Sequence, residues 1–181
     1  MAPKTDFFIT AIKDLRTIGS VASSSSHLIR DLLKPVHFDT ASTIVELGAG
    51  DGCITDAIIE QMQPDTKLHV FELNTTFFQK LSRLQDARVH CYNENATELL
   101  RFIPPQSTDV IISALPLTFI PKPEKITILK AAQQAIKPQG LFIQYQYSLK
   151  DYHHMKAIFK HVHVKFELLN IPPAFIYVCR V

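Results

Sequence analysis

The sequence predicts an α/β protein built on a mostly parallel seven-stranded sheet, with helices on both faces and a C-terminal antiparallel hairpin. Three observations carry this expectation. From residue 42 onward, short runs of β-branched and aromatic residues alternate with segments whose apolar residues recur at helical spacing. Three of the chain's five glycines fall in one stretch, VELGAGDG (45–52), directly behind such a run. The last two apolar runs leave no room for a helix between them, so they are expected to pair as a hairpin.

The elements follow in order. STIVELGA (42–49) reads as a buried strand and CITDAIIEQM (53–62) as its helix, with Ile54, Ile58 and Met62 on one side. KLHVFEL (67–73) is the second strand, followed by the helical TTFFQKLSRL. ARVHCYN (87–93) is the third, and ATELLRFI its helix, stopped by Pro104 and Pro105. DVIISAL (109–115) is the fourth, then a Pro-containing loop and the helix EKITILKAAQQAI, with Gly140 expected to close it. LFIQYQYS is the fifth strand; a helix near 150–160 leads to VKFELLNI, the Pro172-Pro173 turn and AFIYVCRV. Such alternation places helices on both faces of the sheet and gathers the ends of strands one to four along one crevice.

Residues 1–41 precede this repeat and read as an N-terminal helical extension to a domain over 42–181. One amphipathic helix is expected over about 6–18, then a turn at Gly19 and a second helix from Ser26 to Leu33. Phe8, Ala11, Ile12, Leu15 and Ile18 share a face of the first helix, while Lys4, Lys13 and Arg16 lie elsewhere. A helix of this kind can lie in a lipid interface or pack onto the domain as a lid.

Composition narrows the class. An apolar content of 46% and a charged content of 20% are those of a globular protein. Three widely spaced cysteines suggest neither a disulfide framework nor a metal set, and point to a reduced, cytoplasmic protein. No signal peptide is visible, and no apolar run nears the ~20 residues of a membrane span. A net charge of +2 gives no reason to expect nucleic acid. His153, His154, His161 and His163 lack metal-ligand spacing and read as a solvated cluster. Cys53 reads as a small packed residue, and Ser23 to Ser26 as a polar turn before a helix.

Glycine concentrated behind a strand indicates a backbone that another molecule must approach closely. A nicotinamide fingerprint, G-x-G-x-x-G, would need a third glycine at position 53, where Cys53 stands. The pattern present, E-x-G-x-G-x-G, resembles motif I of class I S-adenosylmethionine methyltransferases, and implies their Rossmann-like fold and their cofactor. On that resemblance Glu46 accepts from the cofactor's ammonium, directly or through water, and Gly48, Ala49, Gly50 and Gly52 lie against it. Glu72, 20 residues after Gly52 and next to Leu73, is placed to take the ribose hydroxyls. Asn95-Ala96 stands after the third strand, where the family usually has Asp for the adenine; an Asn carbonyl oxygen can accept from the adenine amino group.

The fourth strand ends in SALPL (113–117), a polar-x-Pro type of element that such enzymes carry when they methylate amines. It is most similar to the bacterial phospholipid N-methyltransferases, which act on phosphatidylethanolamine toward phosphatidylcholine. IGSVASSSSHLIRDLL (18–33) looks like that family's G-x-V-x-P-S-S segment, with Ser23 where Pro is usual, and GLFIQYQYS (140–148) like its strand-five ending. The resemblance implies Leu115, Pro116, Ser24 and Ser25 at the substrate, and a phospholipid partner reached from the inner face of the membrane by a peripheral monomer. Ser113, Tyr145 and Tyr147 are the catalytic candidates, since the lipid ammonium must lose a proton before attack. Pro116 is expected to leave the backbone carbonyls of 113–115 free for this. Alternation places Tyr145 and Tyr147 on one face, where strand packing explains them equally well. A ribosomal RNA adenine dimethylase and a non-catalytic cofactor-binding module are the alternatives; the absence of a basic C-terminal domain argues against the first.

Overall fold

The computed structural model describes residues 26–168, 170 and 172–181. The helix expected over 6–18, the turn at Gly19, and Ser23, Ser24 and Ser25 lie outside the described residues. In chain order the elements are α1 (Ser26–Leu33), β1 (Thr43–Leu47), α2 (Cys53–Ile59), β2 (Lys67–Phe71), α3 (Thr75–Leu81) and β3 (Val89–Tyr92). A 3-10 turn, Ala96–Glu98, runs into α4 (Leu99–Phe102), followed by β4 (Thr108–Ser113) and a second 3-10 turn, Leu117–Phe119. The chain continues through α5 (Lys122–Ala135), β5 (Ile136–Gln146), α6 (Tyr152–Ile158), β6 (His161–Glu167) and β7 (Ala174–Arg180).

The seven strands are ordered β3-β2-β1-β4-β5-β7-β6. The first five run parallel, and β7 is antiparallel to both β5 and β6, from His161 opposite Arg180 to Glu167 opposite Ala174. Strand order reverses at β1, which pairs with β2 on one side and β4 on the other. In open α/β sheets ligands bind at the carboxyl ends of the strands, where this reversal splits the connecting loops apart. The glycine stretch leaves β1 at that point.

Both faces of the sheet are covered, which is why its central strands are apolar at successive positions rather than at alternate ones. On one face Val45, Leu47, Phe71, Ile111 and Phe142 pack with Leu129 and Ala132 of α5 and Met155 of α6. On the other, Ile44, Val70, Ile112 and Ile143 pack with Leu28 and Leu32 of α1 and with Ile54 and Ile58 of α2. Leu28 and Leu32, four apart on α1, are fully buried. The described part of the N-terminal extension is therefore a layer of the domain, lying on α2 and β5. No described helix is long and apolar enough to cross a membrane.

Among the described residues the expected elements are present, most of them shorter, and two differ in kind. The helix expected over 96–103 is a 3-10 turn followed by one α-helical turn, because Asn95 caps it tightly through Thr97 N–H at 3.0 Å. Gly140 does not close α5. The helix ends at Ala135 and β5 begins at once with Ile136, so Gly140 lies inside the strand. A Cβ there would stand 2.6 Å from Ile136 Cγ2 and 2.7 Å from the Asp109 carbonyl oxygen, beside the register shift between β4 and β5. Glycine is needed because β5 passes β4 too closely for any side chain.

Gly140→Ala should therefore destabilise the fold by about 1–3 kcal/mol, the usual range for overpacking. A denaturant midpoint equal to that of the wild type would remove the close approach as the reason for this glycine.

Candidate active site

The glycine stretch forms a turn with φ of 78° at Gly48 and 58° at Gly50, in the region that side chains rarely adopt. The two positions serve different ends. A Cβ on Gly48 would lie 2.8 Å from Leu115 Cδ2, so its absence lets the loop after β4 rest on the turn. A Cβ on Gly50 would meet nothing within 4 Å, so that position opens onto space. Gly52 caps α2, and Ala49 is buried beneath the turn.

Two buried carboxyl groups flank this turn. Glu46, on β1, is fully buried; its Oε2 accepts from Thr55 Oγ1 at 2.6 Å, while Oε1 has no hydrogen-bond partner. Burial lifts its pKa to about 8; the Thr55 bond opposes this, and the negative charges of Glu72, Asp56 and Asp51 add to it. Glu72 follows β2 and accepts from Gly50 N–H at 2.7 Å through Oε2 and from Asn74 N–H at 2.7 Å through Oε1. Burial raises its pKa as well, against the backbone N–H groups of Asn74, Gly50 and Leu73. A carboxylate offers roughly four acceptor sites, so capacity for another donor remains. The end of β2 is fastened further by Asn93 Nδ2, which donates to the carbonyls of Glu72 at 2.8 Å and Leu73 at 3.1 Å.

Asn95 is committed on both ends of its amide. Oδ1 accepts from Thr97 N–H at 3.0 Å, and Nδ2 donates to Glu124 Oε1 at 2.9 Å. One lone pair on Oδ1 is left for a ligand. Ala96 beside it is buried.

The loop after β4 differs from expectation. Ser113 is fully buried, and its Oγ accepts from Leu115 N–H at 3.4 Å. The Leu115 carbonyl is not free despite Pro116; it accepts from Leu117 N–H at 2.8 Å and from Gln144 Nε2 at 3.0 Å. Pro116, at φ −77° and ψ 68°, is the centre of an inverse γ-turn that this Leu117 bond closes, and a buried side chain on β5 completes the carbonyl's bonding. Tyr145 and Tyr147 share a face, with ring centroids 6.1 Å apart. Tyr147 is 43% exposed; burial of its other part raises its pKa, and a hydrogen bond with Asn170 opposes that rise.

Sequence reasoning missed three contributors. Thr55 tethers Glu46 from the first turn of α2. Gln144 holds the β4 loop, and its Oε1 is buried without a partner. Lys125 and Asp151 form a buried ion pair at 2.5 Å, from which Asp151 also accepts from Thr118 at 3.0 Å. The available signal was a polar residue inside an apolar run, as in LFIQYQ. A cleft of about 380 Å³ lined by His69, His90 and Tyr92 lies at the opposite end of the strands, beside Thr43 and Lys67, and is separate from this site. Among the described residues no three His, Cys, Asp or Glu groups converge on a metal position.

With this geometry in place, the comparisons are specific. Residues 45–142, more than half of the chain, match the methyltransferase domain family. The chain belongs to that family. The enzyme is 30% identical over 184 residues to the ornithine lipid N-methyltransferase of Singulisphaera acidiphila, covering 97% of this chain and 96% of the relative. Its fold is similar to 1,6-didemethyltoxoflavin-N1-methyltransferase of Burkholderia thailandensis with bound S-adenosylhomocysteine. There the TM-score is 0.69 at 14% identity, over 99% of this chain and 91% of that one. A precorrin-6y C5,15-methyltransferase of Geobacter metallireducens aligns with a TM-score of 0.68 at 14% identity, over 84% of this chain and 86% of that one. The enzyme is a class I methyltransferase whose cofactor is S-adenosylmethionine. The residues present fit that cofactor: Gly50 opens onto free space, and Glu46 Oε1 is a buried acceptor atom without a hydrogen-bond partner.

Two outcomes follow. Gly50→Ala should fold with a loss of about 1 kcal/mol for the left-handed backbone, yet bind S-adenosylmethionine at least tenfold more weakly; calorimetric titration and denaturation read the two effects separately. Glu46 has a folded pKa raised from 4.5 to about 8, so the folded state binds more protons in that window and stability falls as pH rises through it. The full penalty above pH 8 is on the order of 5 kcal/mol. Glu46→Gln should flatten this slope in thermal unfolding measured from pH 5 to 9; an unchanged slope would assign it to other groups.

Proposed function

We propose that the enzyme is a lipid N-methyltransferase that transfers methyl groups to the amine of phosphatidylethanolamine and of its partly methylated products. The observation that carries the reading is the relationship, over 97% of the chain, to a lipid N-methyltransferase. SALPL and the strand-five ending QYQY support the phospholipid headgroup. The ornithine lipid acted on by that relative supports a second reading, in which the acceptor is the amine of an amino-acid lipid.

In the proposed site Glu46 meets the ammonium of the cofactor, Gly48, Ala49, Gly50 and Gly52 give its amino-acid part and ribose a close backbone, and Glu72 with Leu73 holds the ribose. Asn95 and Ala96 receive the adenine. When bound, the cofactor supplies a sulfonium-linked methyl group open to attack by an amine lone pair. What the chain must do is hold a neutral amine in line with that methyl, at ~3–3.5 Å. Leu115 and Pro116 form the wall on the acceptor side, and Ser113 fixes its curvature from beneath. Ser24 and Ser25 complete the proposed set of residues at the acceptor. Tyr147 is a neutral hydroxyl at ordinary pH and acts as a hydrogen-bond relay for the proton the amine sheds, with Tyr145 packed edge-on to it. The protein works as a peripheral monomer at the inner face of the membrane.

Labelled S-adenosylmethionine is to be incubated with vesicles of phosphatidylethanolamine, with vesicles containing ornithine lipid, and with total RNA. Label in phosphatidylethanolamine is the expected result; label in ornithine lipid alone selects the second reading, and labelled RNA overturns both. Tyr147→Phe should lower kcat by about tenfold or more while cofactor affinity is kept. Equal turnover of this variant and the wild type leaves the tyrosine a packing role.

A further inference from the structure

Large apolar side chains stand exposed at the end of the sheet that carries the active site. Phe119 follows β4, Leu149 and Tyr152 follow β5, and Leu168 follows β6, with exposures from 37% at Tyr152 to 68% at Leu168. Scattered singly, such residues need no explanation. These belong to three connections that the topology gathers at one edge. Because β7 is antiparallel to both neighbours, Gln146 of β5 and Phe166 of β6 are each level with Phe175. The turn after β6 therefore opens at the carboxyl end of β5. Two strand spacings, about 10 Å, separate β5 from β6, so Leu149 and Leu168 enter a common surface.

Exposed charge on this rim is basic, and the flanking Glu124 and Glu167 are bonded to Asn95 and Lys165. In 115–123, 147–156 and 168–173 the exposed lysines are Lys122, Lys150 and Lys156. The one carboxylate in these segments, Asp151, is buried and paired with Lys125. Lys156 Nζ stands 5.7 Å from the centroid of the Tyr152 ring, which joins a basic and an aromatic side chain in one patch.

Apolar side chains that enter the acyl boundary, with lysines left at headgroup level, describe an interfacial surface. We propose that this rim seats the enzyme on an anionic lipid bilayer, with the carboxyl ends of its parallel strands turned toward the lipid. The inference rests on the lipid-acceptor reading above and concerns a surface other than residues 6–18. A second copy of the chain is a poorer occupant, because self-association would bring Lys150 and Lys156 toward basic groups of the same rim.

The test compares the wild type with Leu149→Asp/Leu168→Asp and Lys150→Glu/Lys156→Glu, using vesicles of phosphatidylglycerol and of phosphatidylcholine. Thermal unfolding and S-adenosylmethionine titration check that the variants are folded. Turnover is also measured on a short-chain phosphatidylethanolamine below its critical micelle concentration. The Asp pair should weaken vesicle co-sedimentation at least tenfold while cofactor affinity and turnover on the soluble acceptor are retained. The Glu pair should erase the preference for phosphatidylglycerol and flatten the salt dependence. Wild-type protein that ignores vesicles, or variants that sediment as the wild type does, overturn the proposal. So does a concentration-dependent dimer that the Asp pair dissociates, since a second copy then covers the rim. Failure of the acceptor reading shows differently: no lipid amine is methylated in any form, while the Asp pair still loses vesicle binding.

Discussion

The 2.7 Å hydrogen bond from Gly50 N–H to Glu72 Oε2 joins the turn after β1 to the end of β2, and the site is organised around it. It orients a backbone donor that a left-handed residue presents, and it holds a carboxylate from the end of β2 against the turn after β1, where strand order reverses. The bond has a consequence for charge. Glu72 is buried to 6% exposure, and its negative potential helps to raise the pKa of Glu46 nearby. Two acids held in one low-dielectric pocket are costly without a cation between or beside them. A cationic ligand beside them would relieve that cost.

The acceptor side is coupled to this turn by packing. Gly48 has room only because it lacks a side chain where Leu115 Cδ2 rests, and the Leu115 carbonyl is gripped by Gln144 from β5. Displacing the loop after β4 therefore breaks a buried hydrogen bond and disturbs the glycine turn at the same time. Buried polar bonds of this type cost more to break than they contribute when made, because the group left behind is desolvated. The two halves of the site are held at a fixed spacing, as in-line transfer requires. Beneath them, the Lys125–Asp151 pair and Thr118 anchor the start of α5 and the segment after β5 to this loop, so helices on one face inherit its position.

Much of this was legible in the sequence, for identifiable reasons. Parallel strands buried on both faces show as continuous apolar runs, as β4 and the middle of β5 do, whereas the edge strand β6 alternates between exposed and half-buried positions. Glu46, the glycines and Glu72 could be brought to one place from the sequence because a strand-turn-helix unit fixes their spacing locally, and the structure puts Glu72 on Gly50 N–H. Gly140 was misread because a glycine soon after a helix has two explanations, and only the distance to Asp109 O separates them. Pro116 was read correctly as a breaker of regular structure, but its effect on the Leu115 carbonyl depended on Gln144, 29 residues away in the chain. Thr55 and Gln144 escaped notice for a common cause. Each works through a partner that the fold, rather than the sequence, brings within reach.

The antiparallel seventh strand gives the site its surroundings. A parallel strand following β6 would need a second crossover, which would carry the chain away from the carboxyl edge to the amino end of the sheet. Inserting β7 between β5 and β6 instead returns the hairpin turn to the carboxyl edge, beside the loops after β4 and β5. Exposed apolar residues that are far apart in sequence, such as Phe119 and Leu168, thereby come to the same edge of the sheet. A soluble substrate would gain nothing from such a border, whereas a lipid must leave its bilayer along a continuous apolar path with its headgroup toward the reacting centre. The topology that places the cofactor turn at the sheet's point of reversal thus also supplies the edge along which a lipid acceptor can reach it.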